Sequence, residues 1–533
     1  MKARVWGVAA VGLALLWTSM TWAHHSADQP ERLGQVKFPV SCDPAVQKPF
    51  ERGVALLHSF WYSESAKAFT EVTETDPRCA MGYWGIAMSL WTQIWSPPSP
   101  AALKRGWEAV EKAKSIGGAT PRERDYIAAA EVFYADSERL DHRTRAVAYE
   151  KAMERMYLRY PDDTEAAAFY ALALLATADP HDRTYAQQRR SAEVAEKIFA
   201  VQPDHPGAAH YIIHADDYPA LASRALPAAT RYARFAPSVP HALHMPSHTY
   251  VLLGMWRETI QSNIAAAAAE KAHGNPDDRM HALDYLEYAL LQRAMDVDAK
   301  HVLDEARGIM AELAARQYDS GRPTAHFAIA AIEARWAMER GSWAEAAAIE
   351  PRPTRFAHAD SMIHFARAIG AARSGQPARA RADVEKLAAL RDGLKDAYWS
   401  EQIEIQRRAA SAWVAHAEGR NDEALALARS AAELEESTEK HNITPGPIAT
   451  GRELLGDLLM EMGRPAEAVR EYEASLERAP NRLKSLHGAG RAAELSGDRD
   501  KARAFYLKIL ALGPPGNSQR PELLDVKAFL ARQ

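Results

Sequence analysis

The sequence predicts an all-α solenoid of stacked helical hairpins, and three observations carry that expectation. Gly456, Gly463, Ala468 and Tyr472 recur 34 positions later as Gly490, Gly497, Ala502 and Tyr506. The composition is rich in Ala, Leu, Glu and Arg, which lose little side-chain freedom in a helix. Alternating apolar and polar runs of the kind that build half-buried strands are not evident.

Each recurring residue has a mechanical role. Gly456 and Gly490 let two helices approach closely. Gly463 and Gly497 end the first helix of each pair, where a left-handed backbone costs glycine nothing. Ala468 and Ala502 fit where the second helix presses on the first, and the tyrosines fill the space between units. Pro480 stops the second helix. A period of 34 is that of the tetratricopeptide (TPR) repeat, so the expected fold is a TPR-like α-α superhelix. Gly53, Phe69 and Pro77 repeat the register near the start, with Tyr83 and Ala87 opening the next unit. Gly254, Gly341, Gly375 and Gly419 read as turns between Ala-rich helices in a more divergent middle. Thr120-Pro-Arg-Glu123 spells a capping box. About a dozen hairpins are expected.

Residues 1–23 read as a secretory signal peptide: Lys2 and Arg4, an apolar stretch from Val5 to Trp17, then Thr21-Trp-Ala23 as a cleavage site. The organisation that follows is an extended segment over 24–45, a divergent helical array over 46–443, and regular C-terminal repeats over 444–533. Thr444-Pro-Gly-Pro447 is the loop between the last two. Removing Lys2 and Arg4 takes the formal net charge from −5 to −7, with both signs interspersed. That pattern lacks the basic footprint expected for nucleic acid or an anionic membrane. No later run is apolar enough to span a bilayer, so the expected mature chain is a soluble protein of the periplasm or the exterior. Its two cysteines, Cys42 and Cys79, are expected to form a disulfide there, with buried thiols or a metal pair as alternatives.

Four segments carry a resemblance. Arg52-Gly-Val-Ala-Leu-Leu-His-Ser-Phe-Trp61, Cys79-Ala-Met-Gly-Tyr-Trp-Gly-Ile-Ala-Met88, His241-Ala-Leu-His-Met-Pro-Ser-His248 and Lys440-His-Asn-Ile-Thr-Pro-Gly-Pro447 resemble a family of bacterial exported TPR-containing proteins. The resemblance extends over nearly the whole mature chain. It implies an α-α superhelix and secretion, and it brings no settled activity.

Histidines supply the candidate chemistry. His205, His210, His214, His241, His244 and His248 fall within 44 residues, where the 20 histidines of the chain would place roughly 1.7 by chance. His210 and His214 are four apart, on one helical face, a spacing that lets two imidazoles hold one metal. His241, His244 and His248 share a face if their helix is continuous. Alternatively the helix begins at Pro246 and leaves His241 and His244 on an approach loop. His214 and His248 are 34 apart, at equivalent places in adjacent repeats, and the next unit adds His281 and Asp284. Asp217 stands nearby. A concave groove lined by His210, His214, Asp217, His241, His244, His248, His281 and Asp284 is therefore expected.

The leading expectation is an exported scaffold holding a peptide, a protein partner or a small ligand in that groove. The competing one is a metal-binding protein or metalloenzyme using His210, His214, His244 and His248 to bind zinc or copper. The plainer alternative is a set of histidines satisfied by neighbouring backbone. Catalytic residues are not assigned, since HExxH, a phosphate loop and a Gly-x-Ser-x-Gly elbow are all missing. An amino-terminal His24 would offer amine and imidazole together to copper. His58, on a mostly apolar helix, reads as a core histidine, and His441 as the end of a charged helix. Trp256, Trp336, Trp343, Trp399 and Trp413 read as core.

Overall fold

A computed structural model describes residues 30–94 and 97–532; the stretch expected to be a signal peptide, its expected cleavage site and His24 lie outside the described residues. Among the described residues there are 26 α-helices, one short 3-10 helix at Pro44–Val46 and no strand. The helices pair in sequence order as antiparallel neighbours, as a solenoid requires. None is long and apolar enough to cross a membrane.

The repeat residues act as their spacing implies. A Cβ on Gly456 would lie 2.8 Å from the Tyr472 ring, and that ring also closes over Gly488 of the next hairpin. Any side chain at Gly456 would push helices Gly451–Glu461 and Pro465–Arg478 apart. Gly463 and Gly497 turn with φ of 69° and 84°. Thr120 and Glu123 make both bonds of the capping box, and Glu123 also accepts from the Ser41 N–H at 2.6 Å. Trp256, Trp336 and Trp413 are buried. Trp343 and Trp399 are only partly so, and Trp399 stacks on His358 at 4.2 Å along a cavity wall.

Residues 30–43 have no helix of their own and lie extended along the N-terminal hairpins. Phe38 is the anchor, buried against Phe50, Trp84 and Tyr126. Gln35 N–H donates to the Asp204 carbonyl, and Cys42 and Cys79 are joined by a disulfide.

Residues far apart in sequence also meet. Trp256 Nε1 donates to the Asn481 carbonyl at 2.8 Å, Arg293 Nε to the Leu512 carbonyl at 2.9 Å, and Arg520 pairs with Asp296. Arg482, fully buried, pairs with both Glu339 and Glu453. The C-terminal repeats thus return onto the middle of the array. One apolar cluster runs from Ala294 to Phe529 and includes Ile443 and Ile448, so the core continues past Thr444–Pro447. That stretch crosses the inner wall. Lys440 Nζ pairs with Asp217 at 2.7 Å, Tyr285 donates to the Thr444 carbonyl at 3.1 Å, and Arg335 donates to the Gly446 carbonyl at 3.0 Å. The charged helix ends at Glu436, five residues before His441, which belongs to the crossing segment rather than to a helix end.

Candidate functional site

The histidines converge inside the molecule. Helix Pro206–Ala215 carries His210 and His214, Pro240–His244 carries His241 and His244, Pro246–Leu252 carries His248, and Pro276–Gln292 carries His281 and Asp284. Pro246 does open a helix, yet His241 and His244 do not lie on a loop. Met245 is itself right-handed helical (φ −52°, ψ −37°), so the two short helices join with little bend. Proline at the first helical position has no N–H to lose, and there it costs the helix little.

The expected open groove is replaced by a buried chamber. His210, His214, His244, His248, Asp217 and Asp284 are each 5 % exposed or less, and His281 is 9 % exposed. The physical causes are the crossing segment Glu439–Pro447, whose Lys440 pairs with Asp217 and whose Thr444 carbonyl takes the Tyr285 hydroxyl, and Phe60, whose ring lies 4.2 Å from that of His210 and within 5.9 Å of those of His214 and His241. The four residues expected to share one metal divide between two triads. The ring nitrogens of His210, His214 and His241 lie within 4.8 Å of one another, and so do those of His244, His248 and His281. Asp284 joins neither; it is ion-paired with buried Arg335.

The hydrogen bonds fix the tautomers of His244 and His248 in the second triad. His248 Nδ1 lies 2.9 Å from Asp217 Oδ2, and a carboxylate only accepts, so Nδ1 carries the proton. Asn263 Nδ2 donates to the Thr259 carbonyl, which turns its Oδ1 toward His244 Nδ1 at 2.7 Å, and that nitrogen is protonated too. Both Nε2 atoms therefore carry lone pairs, and they face each other at 3.1 Å. Two neutral acceptors at that distance repel. Protonating His248 would relieve the repulsion, but burial, then the Lys440 ammonium and His244, holds its pKa well below the ordinary value. Burial and His241 push His244 down to about 3. The rings are neutral at pH 7, the form that binds metal. Burial raises Asp217, against the pull of Lys440.

A third group provides a contrast. His58, Glu165 and His205 also bring three ligand atoms within 4.8 Å of one another, all fully buried. His205 caps helix Pro206–Ala215 by accepting the Ala208 N–H on Nδ1 at 3.1 Å, so its Nε2 donates to Glu165 at 3.0 Å. His58 Nε2 donates to the other Glu165 oxygen at 2.7 Å, and its Nδ1 accepts from Tyr211 at 2.8 Å. Burial would raise Glu165, yet His205 and His58 hold it well below the usual carboxylate range. Every ring nitrogen there is engaged, which makes the group structural.

Glu165, Asn263, Tyr285 and Lys440 escape a reading of the sequence. Asn263 had a signal, as the polar residue heading the run Ile-Ala-Ala-Ala-Ala-Ala on an otherwise apolar face. Tyr285 follows His281 by one helical turn. Nothing in the local sequence points from Glu165 to His58, 107 residues away.

A sequence model of the tetratricopeptide repeat matches residues 450–482. No curated protein matches the sequence. Among solved structures, a human IFIT1 dimer with m7Gppp-AAAA is similar at 13 % identity, covering 82 % of this chain and 90 % of that one, with a TM-score of 0.39. A tetratricopeptide repeat protein from Parabacteroides merdae is similar at 15 % identity, covering 55 % of this chain and 99 % of that one, with a TM-score of 0.29. Likeness at this level carries no argument about what the chain binds. The architecture suggests a protein-binding scaffold, and an apolar cleft of about 950 Å³, bordered by Met310, Ile329, Ile363 and Leu390, lies outside the histidine chamber. The chain is an all-α repeat protein of the tetratricopeptide type.

Proposed function

We propose that this chain is a metal-binding repeat protein whose His244, His248 and His281 hold a zinc or copper ion. The observation that carries the reading is the pair of His244 and His248 lone pairs facing each other at 3.1 Å, each with its Nδ1 proton already committed. A tetrahedral ion with bonds of ~2.05 Å separates its ligands by about 3.3 Å, close to that spacing. Asp217 behind His248 and Asn263 behind His244 are the supports that metal-bound imidazoles characteristically have. Three neutral nitrogen donors suit zinc and copper and leave a further coordination position for water or a small ligand. The Cys42–Cys79 disulfide supports reading residues 1–23 as an export signal, because such bonds persist in oxidising compartments.

The test is to purify the full chain without a polyhistidine tag, strip it, dialyse it against zinc or copper, and measure bound metal by mass spectrometry. The expected result is retained metal, a melting temperature raised by it, and at least 100-fold weaker binding in His248→Ala. A chain that takes up neither ion and melts identically with and without chelator overturns the proposal.

A further inference from the structure

The first triad repeats one feature of the second, an imidazole whose outer nitrogen is committed and whose inner one faces its neighbours. His210 Nδ1 donates to the His58 backbone carbonyl at 2.7 Å, which leaves its Nε2 as the acceptor, and that atom has no hydrogen-bond partner. His210 is fully buried, and the nitrogens of His214 and His241 converge with it to within 4.8 Å. A buried acceptor facing two further imidazoles incurs a desolvation penalty that a cation removes.

The two triads share a border. The rings of His214 and His248 are centred 6.0 Å apart, and those of His241 and His244 6.2 Å apart. His241 and His244 belong to one short helix, Pro240–His244, which therefore contributes one member to each triad and positions both. From this we infer that the chamber is a dinuclear centre: His210, His214 and His241 bind a second late first-row metal ion beside the one held by His244, His248 and His281. The inference rests on the reading above for the second triad, and its own content is the second ion.

Stoichiometry separates the two claims. The full chain, metal-free and then dialysed against zinc or copper, is expected to bind two ions. His281→Ala and His241→Ala should each retain one, and the double variant none. His241, the least buried member, is chosen because its removal disturbs packing least; circular dichroism and the melting temperature of the stripped variants control for folding. Cobalt(II) supplies an independent readout, because its visible absorption should rise over two equivalents in the full chain and over one in each single variant. One ion in the full chain that survives His241→Ala and is lost in His281→Ala overturns the second site and leaves the first intact. One ion lost in either variant overturns it as well, by showing a single shared site. No ion in any form removes the earlier reading too.

Discussion

Two buried histidine groups, one built on helices Gln47–His58, Thr164–Ala176 and the cap of Pro206–Ala215, the other on Pro240–His244, Pro246–Leu252 and Pro276–Gln292, have opposite outcomes. In the His58–Glu165–His205 group a carboxylate sits between two imidazoles and each remaining ring nitrogen accepts from a tyrosine or a backbone N–H. In the His244–His248–His281 group the supports, Asn263 and Asp217, take the outer protons and turn two lone pairs inward. Clustered, buried histidines are common to both. What separates them is which nitrogen faces the partner, and that is decided by the second ring of neighbours.

The largest expected effect comes from breaking the closed group. Glu165→Ala strips the acceptor from two buried N–H groups and leaves a cavity, with an expected loss on the order of 3–5 kcal/mol in urea unfolding and no change in metal bound per folded chain. A variant as stable as the parent would show that the closed group is not structural. Asn263→Ala is the counterpart in the open group. It removes the bond that holds His244 Nδ1 as the donor, so zinc or copper affinity should fall 10- to 100-fold, read by competition with a chelator of known affinity. Undiminished affinity would break the contrast between the groups.

The remaining effect is a pH-dependent one. Glu287 is fully buried and neither carboxylate oxygen has a hydrogen-bond partner. Burial, only partly opposed by Arg335, raises it well above 4.5. A raised carboxyl contributes stability that is complete below pH ~4.5 and is lost as pH rises through its folded value, by up to about 1.4 kcal/mol per pH unit. Glu287→Gln does not titrate, so its melting temperature should gain on the parent from pH 5 to pH 8. A constant difference across that range would sink the account. It sharpens the comparison by showing burial acting on an acid that, unlike Glu165, has no partner.

The fold was largely legible. The spacing from Gly456 to Gly490 specifies the hairpin, its close approach and its turn within one local window, because TPR contacts are mostly between neighbours. The histidine chamber was half legible. Equivalent positions in adjacent repeats do meet, as His214 and His248 do. The division into two triads was not legible, since it depends on which neighbours in other repeats His241 and His244 each meet, His210 for the one and His281 for the other. The burial was not legible either. It arises from Lys440 reaching Asp217 and from Phe60 lying on His210, and such contacts, like that of Trp256 with Asn481, join residues far apart in the chain and leave no periodic trace.

Those same long contacts change the mechanics of the array. A linear stack of repeats can lose its last units and keep the rest, since each unit answers only to its neighbours. Here the final hairpins hold Trp256, Arg293, Asp296 and Glu339 from the far side. Trimming the chain after Pro447 would therefore loosen its middle as well as its end, and the protein should unfold as one cooperative body rather than fray from its tip.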